Sequence, residues 1–446
     1  MITSHTFLIA CGFTLATGVV MISAQSPLPQ RAGDPPLPPP IPAPVPPDSG
    51  EYENVLTLKA SQILQSVFVS GPHFQVREGV TTNWGVNTYA IDSTFYGTYL
   101  AFGNSQLLDR IAEISAIKRL DDVMRTEDYR DALHEASDEE EDAAEDYVPP
   151  TQDSLQEVHT TGIGKFFQRL GQDIKKEHND EKRRDYQSFA IKSTAGVAKA
   201  KRDLCRKLGI NPYTTNAALQ SRLDGMSRAL ALGGFKFVMG EASADPVAAA
   251  AALNRGTAAA QIALEIYDKD ENTLRTGNLT ELQLLGIGPP DSTAFLANRQ
   301  FTPWQQTQLT KSLRALTGVT GLENFLRDAT ASTTEETDAI FYAETAQLMA
   351  QLQQAQWQIA RIERHENAPY CVLKDGSILL ALHWDYASWT PLADRCTRWL
   401  QTIQINGKQP PTITIAITGA ASPRCRQEME KRRIRLLDRQ NKGPLN

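Results

Sequence analysis

His383 and Asp385 are the residues that come nearest to an acid–base pair in this sequence. One residue separates them, and they follow the apolar run Ile378–Leu382, which is typical of a strand. Because side chains alternate along a strand, both would lie on the same face. A histidine beside a carboxylate can move protons in general acid–base catalysis. A surface hairpin would give the same sequence, so a catalytic role and a structural role both stay open.

Other catalytic and cofactor signatures do not occur in this sequence. It has no nucleophile elbow, HExxH pair, paired CxxC motif, or kinase or nuclease signature. Glycine-rich phosphate-binding motifs are also missing, so no nucleotide or other cofactor is predicted. Residues 135–146 hold eight carboxylates in twelve positions, without the alternating ligands and glycine turn of a calcium loop. This acidic run is predicted to be a solvated linker, and no metal site is predicted.

Four of the five cysteines lie beyond the first 50 residues. An even number of cysteines in an exported chain permits disulfide bonds. Cys371 and Cys396 are the predicted pair. The alternative is that all four are free or buried thiols.

The N-terminal part of the sequence predicts export. Residues 7–22 form an uncharged apolar run, and small residues suited to cleavage follow near Ala24. Residues 1–24 are therefore predicted to be a signal peptide, with an uncleaved anchor as the alternative. Eleven prolines fall among residues 27–47, so residues 25–50 are predicted to be an extended linker. The expected location is the periplasm, the cell envelope or the extracellular space.

A basic amphipathic helix is predicted over residues 162–176. Its apolar face and its cationic fringe are predicted to bind an anionic membrane surface through the residues Ile163, Lys165, Phe166, Phe167, Arg169, Leu170, Ile174, Lys175 and Lys176. The alternative is a helix that packs on its own domain. The net charge of −7 argues against a general nucleic-acid binder, and no nucleic-acid partner is predicted.

The hydrophobic patterns predict a helix-rich α+β fold. An antiparallel β meander with strands near 74–76, 85–91 and 95–102 is followed by a helix from Asn104 or Ser105 to about residue 134. The central helices include one long helix from Thr337 to Glu363, and Asn278, Asp291 and Thr302 are predicted helix caps. The C-terminal α/β lobe has a hairpin with a turn at Asp375-Gly376, helices at 391–403 and from Ser422-Pro423, and strands at 412–418 and 434–437.

The predicted boundaries follow these changes of pattern. They are a small α+β domain at 51–134, an acidic linker at 135–160, a helical domain at 161–365 and a small α/β lobe at 366–446.

Several segments resemble an uncharacterised family of exported proteobacterial proteins. They are Lys199–Asp203, Lys207–Asn216, Asp385–Trp389, Thr418-Gly419 and Ser422–Arg424. The resemblance implies export and a shared fold. The family has no assigned activity, so it supplies no catalytic residues. The cysteines and the acidic run do not belong to its pattern.

Two functions follow as hypotheses. The first is a non-enzymatic envelope module that binds a membrane surface or an envelope protein, in which case Phe166 and Phe167 are exposed. The second is a soluble exported hydrolase with its site near the C-terminal lobe. The second requires that Phe166 and Phe167 are buried and that a concave pocket contains His383 or Asp385.

Overall fold

A computed structural model describes the chain over residues 52–53, 57–83, 85–94, 97–138, 195–237, 256–365, 368–441 and 443–446. These residues all belong to one compact unit, Pro44–Asn446. The predicted signal peptide, the Pro-rich linker and the helix at 162–176 lie outside the described residues, as does most of the acidic linker.

The N-terminal sheet is antiparallel, as predicted. Its strands are β1 (Thr57–Lys59), β2 (Ser70–Gly71), β3 (Phe74–Val76), β4 (Gly79–Asn83), β5 (Val86–Ser93) and β6 (Gly97–Phe102). The order is β1-β4-β5-β3-β2, and β6 pairs with β5. Between β1 and β2 lie two one-turn helices, α1 (Ala60–Ile63) and α2 (Ser66–Val69). Leu64 and Gln65 separate them with non-helical backbone, and the backbone amide of Gln65 donates to Pro444 O, in the C-terminal tail, at 2.9 Å.

Helix α3 (Asn104–Met124) packs on this sheet, and α4 (Glu127–Asp138) follows. The single helix predicted to residue 134 is therefore broken at Arg125 and Thr126. The Thr126 hydroxyl donates to Val123 O at 2.6 Å and accepts from Tyr129 N at 3.4 Å. Threonine competes with the helical backbone in this way, which favours a break at its position.

The central region is helical, as predicted. Its helices are α5 (Ala195–Leu208), α6 (Ala217–Ala231), α7 (Gly256–Asp268), α8 (Glu271–Leu284), α9 (Pro289–Ala297), α10 (Pro303–Ala315), α11 (Leu322–Ser332) and α12 (Glu336–Gln354). Thr302 caps α10 in a capping box with Gln305, which confirms that prediction. The cap predicted at Asn278 is wrong, because Asn278 is buried inside α8. The cap predicted at Asp291 is also wrong, because Gly288 is the N-cap of α9 and Asp291 lies in its first turn.

The C-terminal lobe is built on a mixed sheet. Its main strands are β7 (Ile359–His365), β8 (Ala368–Leu373), β9 (Ile378–Leu382), β11 (Ile413–Ile417) and β13 (Ile434–Leu437), in the order β13-β11-β9-β8-β7. The short strands β10 (Tyr386–Ala387) and β12 (Ala420–Ala421) pair separately. Helix α13 (Pro391–Thr402) connects β10 to β11, and α14 (Pro423–Lys431) connects β12 to β13. Strands β9, β11 and β13 are parallel.

The long helix predicted from Thr337 to Glu363 is confirmed as far as Gln354 and is wrong in its last third. Helix α12 ends at Gln354, and Gln356 and Gln358 both have left-handed backbone angles. Ile359 and Ile362 are buried as expected, but in the strand β7 that pairs with β8. Pairing along β8 outweighs the helical pattern of these residues.

The four cysteines beyond residue 50 are free and buried, so the predicted disulfide between Cys371 and Cys396 is not formed. Cys371 Sγ lies 3.5 Å from Met349 Sδ on α12. Cys396 instead lies near Cys425 on α14, and burial raises the thiol pKa of both Cys371 and Cys396. The two cysteines therefore have different neighbours.

The largest hydrophobic core joins the C-terminal sheet to α10, α11 and α12, and it includes Val86 of the N-terminal sheet. The N-terminal α+β segment, the central helices and the C-terminal lobe therefore all contribute to this core. Within the described parts of the chain, no helix combines the length and the apolar character needed to cross a bilayer.

Candidate functional site

A polar cavity of about 100 Å³ lies at the carboxyl ends of the parallel strands. His383 and Asp385 follow β9, Thr418 follows β11, and Asn441 follows β13. Because the carboxyl ends of parallel strands meet at one edge of a sheet, these side chains come together although they are distant in sequence. Ligands of α/β folds bind at this edge.

The opposite walls of the cavity come from helices. The N-terminal turns of α3 contribute Asn104, Asp109 and Arg110, and α12 contributes Glu336 and Glu344. Further polar side chains come from α10 and from the loop before α6. The cavity therefore lies where the N-terminal α+β segment, the central helices and the C-terminal lobe meet.

Asp385 is held at the N-terminus of α3. Its Oδ1 accepts from Asn104 N at 3.2 Å, and its Oδ2 accepts from Asn87 N at 3.0 Å. Its backbone amide donates to Gly85 O at 2.8 Å. Helix N-termini favour a carboxylate because their amides have no partner within the helix. These bonds fix the orientation of the carboxyl group, which is almost fully buried.

A buried hydrogen-bond chain supports the residues that hold Asp385. Thr82 Oγ1 donates to Asn87 Oδ1 at 2.7 Å, and Asn87 Nδ2 donates to Tyr89 Oη at 2.9 Å. Tyr89 Oη donates to Asn104 Oδ1 at 2.6 Å. Satisfied polar networks of this kind rigidify their surroundings. The β4–β5 hairpin and the start of α3 are thereby fixed relative to Asp385.

His383 has one ring nitrogen with a partner and one without. Its Nδ1 lies 3.3 Å from Thr418 Oγ1, whereas Nε2 is buried and has no hydrogen-bond partner among the described residues. When the Thr418 hydroxyl donates to Trp384 O, at 3.2 Å, Nδ1 carries the ring proton. The lone pair on Nε2 is then free to accept a proton.

Gly103 leaves open the space between His383 and Asp385. A Cβ at this position would lie 3.4 Å from Asp385 Oδ2 and 3.7 Å from His383 Nε2. The φ angle of Gly103 is 91°, which side chains disfavour. The two functional atoms therefore face the same small space, which a side chain at Gly103 would fill.

A second group of charges lines the cavity farther from the strands. Arg110 Nη1 donates to Glu113 Oε2 at 2.7 Å, and Thr215 Oγ1 donates to Glu336 Oε2 at 2.8 Å. Glu344 Oε1 accepts from Gln308 Nε2 at 3.1 Å. These bonds hold the carboxyl groups in place along α3 and α12.

Burial shifts the pKa of both central residues. It raises the pKa of Asp385 to about 7, and the nearby charge of Glu344 adds to this, although the amides of Asn87 and Asn104 act in the opposite direction. It lowers the pKa of His383 to about 4. Burial also raises the pKa values of Glu336 and Glu344. Near neutral pH, Asp385 is about half protonated and His383 is neutral, so the pair can both donate and accept a proton.

The structure thus brings together the two residues that the sequence singled out. They lie just beyond β9 rather than within the strand, and the cavity that contains them is the one the hydrolase hypothesis required. The predicted membrane-binding residues, from Ile163 to Lys176, lie outside the described residues. The described part of the chain contains no group of three or more His, Cys, Asp or Glu side chains placed to hold a metal ion.

The carboxyl groups of α12 were missed in the sequence. Glu336, Ile340, Glu344 and Gln347 all line the cavity, and their spacing places them on one face of the helix. A polar stripe on a helix normally faces solvent. Here the face of α12 opposite this stripe is also buried. A long helix that is covered on both faces and carries carboxyl groups along one of them is the signal that could have identified the site.

No family model matches this chain, and no curated protein or solved structure is found to be similar to it.

Proposed function

We propose that the protein is an exported hydrolase whose active site is the cavity at the carboxyl ends of β9, β11 and β13. His383 and Asp385 would activate a water molecule and protonate the leaving group. The observation that carries the proposal is His383 Nε2, which is buried without a partner and faces the same open space as Asp385 Oδ2. A buried nitrogen without a partner is costly, and it persists where function requires it.

The proposed reaction uses the two residues in opposite protonation states. Neutral His383 accepts a proton from water as the water oxygen attacks the substrate. Protonated Asp385 gives its proton to the leaving group. An imidazolium and a carboxylate then replace two neutral groups, so the cavity gains no net charge. The opposite charges stabilise each other, which offsets the low basicity that burial gives His383.

Hydrolysis of chromogenic substrates tests this proposal. We expect the protein to cleave at least one class among aryl esters, aryl glycosides, aryl phosphates and aminoacyl anilides. His383→Gln and Asp385→Asn should each reduce kcat at least about a hundredfold, because each removes a proton-transfer group. Turnover that both variants retain, or no turnover of any class, would contradict the proposal.

Matched substitutions outside the cavity control for general effects. His365 lies on β7, where its Nε2 is 3.1 Å from Thr402 Oγ1. Asp268 is exposed at the end of α7 and pairs with Arg206. His365→Gln and Asp268→Asn remove the same chemical groups away from the cavity, and both should retain the wild-type kcat.

A membrane-surface role is the second proposal, and it is supported by the basic amphipathic pattern of residues 162–176. The measurement is flotation with anionic liposomes. Binding that salt weakens, and that a folded Phe166→Asp/Phe167→Asp variant loses, would support this role. A wild-type protein that does not float would contradict it.

A further inference from the structure

The cavity carries an excess of acidic groups. Its lining includes five carboxyl side chains, those of Asp109, Glu113, Glu336, Glu344 and Asp385. Among the described residues of the lining, Arg110 is the single Arg or Lys. Its guanidinium pairs with Glu113 at 2.7 Å and also contacts Thr214 and Thr215, so little of its charge is available to a ligand.

Glu336 and Glu344 are the carboxyl groups best placed to meet a ligand. Each accepts a hydrogen bond from a neutral side chain, Thr215 and Gln308 respectively. Among the described residues, neither forms an ion pair. Burial raises the pKa of both, and the charge of Arg110 opposes this at Glu336, whereas no described cation does so at Glu344. Burying carboxyl groups without a cation is unfavourable, so a ligand that supplies the cation would be bound strongly.

The unpartnered Nε2 of His383 is an independent indication that a ligand enters this cavity. His383 is only 4% exposed, and it lines the same cavity as Glu344. Its ring nitrogen needs a hydrogen-bond partner that the described residues do not provide. The rings of Tyr213 and Trp304 add aromatic surface to the wall, which suits an organic ligand rather than a bare ion.

We infer that the cavity binds a small organic ammonium ion, with its amino group paired to a carboxyl group of α12, either Glu344 or Glu336. The inference rests on the proposed function in that this ligand is the substrate class of the hydrolase. Anionic ligands would be repelled by the carboxyl excess. A tightly coordinated metal ion would need convergent ligands, and the described residues contain no such group. An ammonium group accepts looser geometry, because its three donors rotate freely.

Calorimetric titration with matched pairs of compounds tests the inference. Glucosamine is compared with glucose, ethanolamine with ethylene glycol, and putrescine with 1,4-butanediol, all in an amine-free buffer at constant ionic strength. We expect at least one amine to bind about tenfold or more tightly than its neutral partner, as a charge-assisted hydrogen bond allows. Burial raises the pKa values of Glu336 and Glu344, and an ammonium ion favours their ionised forms, so amine binding should tighten as pH rises.

The variants are Glu344→Gln, Glu336→Gln and, as control, Glu430→Gln on the exposed side of α14. At least one of the two cavity variants should weaken amine binding about tenfold while its thermal unfolding stays cooperative, and the control should bind as wild type does. Equal binding of the neutral partners, no binding of any amine, or full binding by both cavity variants would overturn the inference.

The ligand class and the hydrolase can fail separately. His383→Gln should still bind the amine, because the carboxyl groups hold the ligand. Amine binding without any hydrolysis would leave the ligand class standing and remove the hydrolase proposal. Hydrolysis of neutral or anionic substrates without amine binding would support the hydrolase proposal and overturn the ligand class.

Discussion

Asp385 should make the stability of the protein depend on pH. Burial raises its pKa to about 7, well above the ordinary value of 3.8. Between these values the folded state binds a proton that the unfolded state releases. The stabilisation of the folded state by this proton on Asp385 is therefore complete below about pH 4 and is lost as pH rises through 7. The Asp385→Asn variant has no carboxyl group to ionise at this position. The difference between its free energy of unfolding and that of wild type should therefore rise by up to about 4 kcal/mol from pH 4 to pH 8.

Urea unfolding at pH 4, 5, 6, 7 and 8 measures this difference. The buried imidazole of His383, with its pKa lowered to about 4, gives stability the opposite pH dependence, but it is present in both proteins and cancels. The control is Asp268→Asn, because Asp268 is exposed. Parallel pH profiles for wild type and Asp385→Asn would show that Asp385 does not carry the raised pKa.

At the residue scale, His383 and Asp385 could be found in the sequence because they lie close together just beyond a clear strand. Asn87 and Asn104 could not, since their roles depend on contacts with Asp385 across nearly 300 positions. Nothing in the local sequence around Asn104 indicates that its amide binds a carboxylate.

At the scale of elements, the start of α3 determines the shape of the site. Gly103→Ala would force a side chain onto a φ of 91° and would place a Cβ 3.4 Å from Asp385 Oδ2. We expect the free energy of unfolding to fall by about 1–3 kcal/mol. The rate of any hydrolysis should fall as well, because the Cβ occupies the space between the two functional atoms.

Chemical denaturation and the hydrolase assay measure both effects, with Gly277→Ala as the matched control. Gly277 lies within α8, and a Cβ there meets nothing within 4 Å. This control should be more stable than wild type by about 0.5–1 kcal/mol, because alanine has the higher helix propensity. If Gly103→Ala is as stable and as active as wild type, the space is not part of the site.

The elements themselves were predictable where local pattern and tertiary structure agree. The hairpin with its Asp375-Gly376 turn, the strand at Ile413–Ile417 and the helix that begins at Pro423 all follow from local sequence. The strand β7 was not predictable, because Ile359 and Ile362 fit a helical period equally well. Only pairing with β8 selects the strand, and such pairing is not visible in one segment of sequence.

At the scale of the whole molecule, the C-terminal tail joins the two sheets. Leu445 is buried in the core of the N-terminal sheet, and Asn446 N donates to Ile63 O at 2.9 Å. Gly443 and Pro444, just before it, line the cavity. Unfolding of the N-terminal core should therefore be coupled to loss of the C-terminal lobe.

Leu445→Ala tests this coupling. We expect the free energy of unfolding to fall by about 2–3 kcal/mol, as for other buried leucines. Five of the six tryptophans lie at or beyond residue 304, so in a Trp84→Phe background the fluorescence reports on the central and C-terminal parts of the chain. Tryptophan fluorescence and far-ultraviolet circular dichroism should shift together in urea. The exposed Leu284, at 65%, provides the control, and Leu284→Ala should change stability by less than about 0.5 kcal/mol. A fluorescence transition that stays in place while the dichroism transition moves would mean that the N-terminal core unfolds alone, which would contradict the coupling.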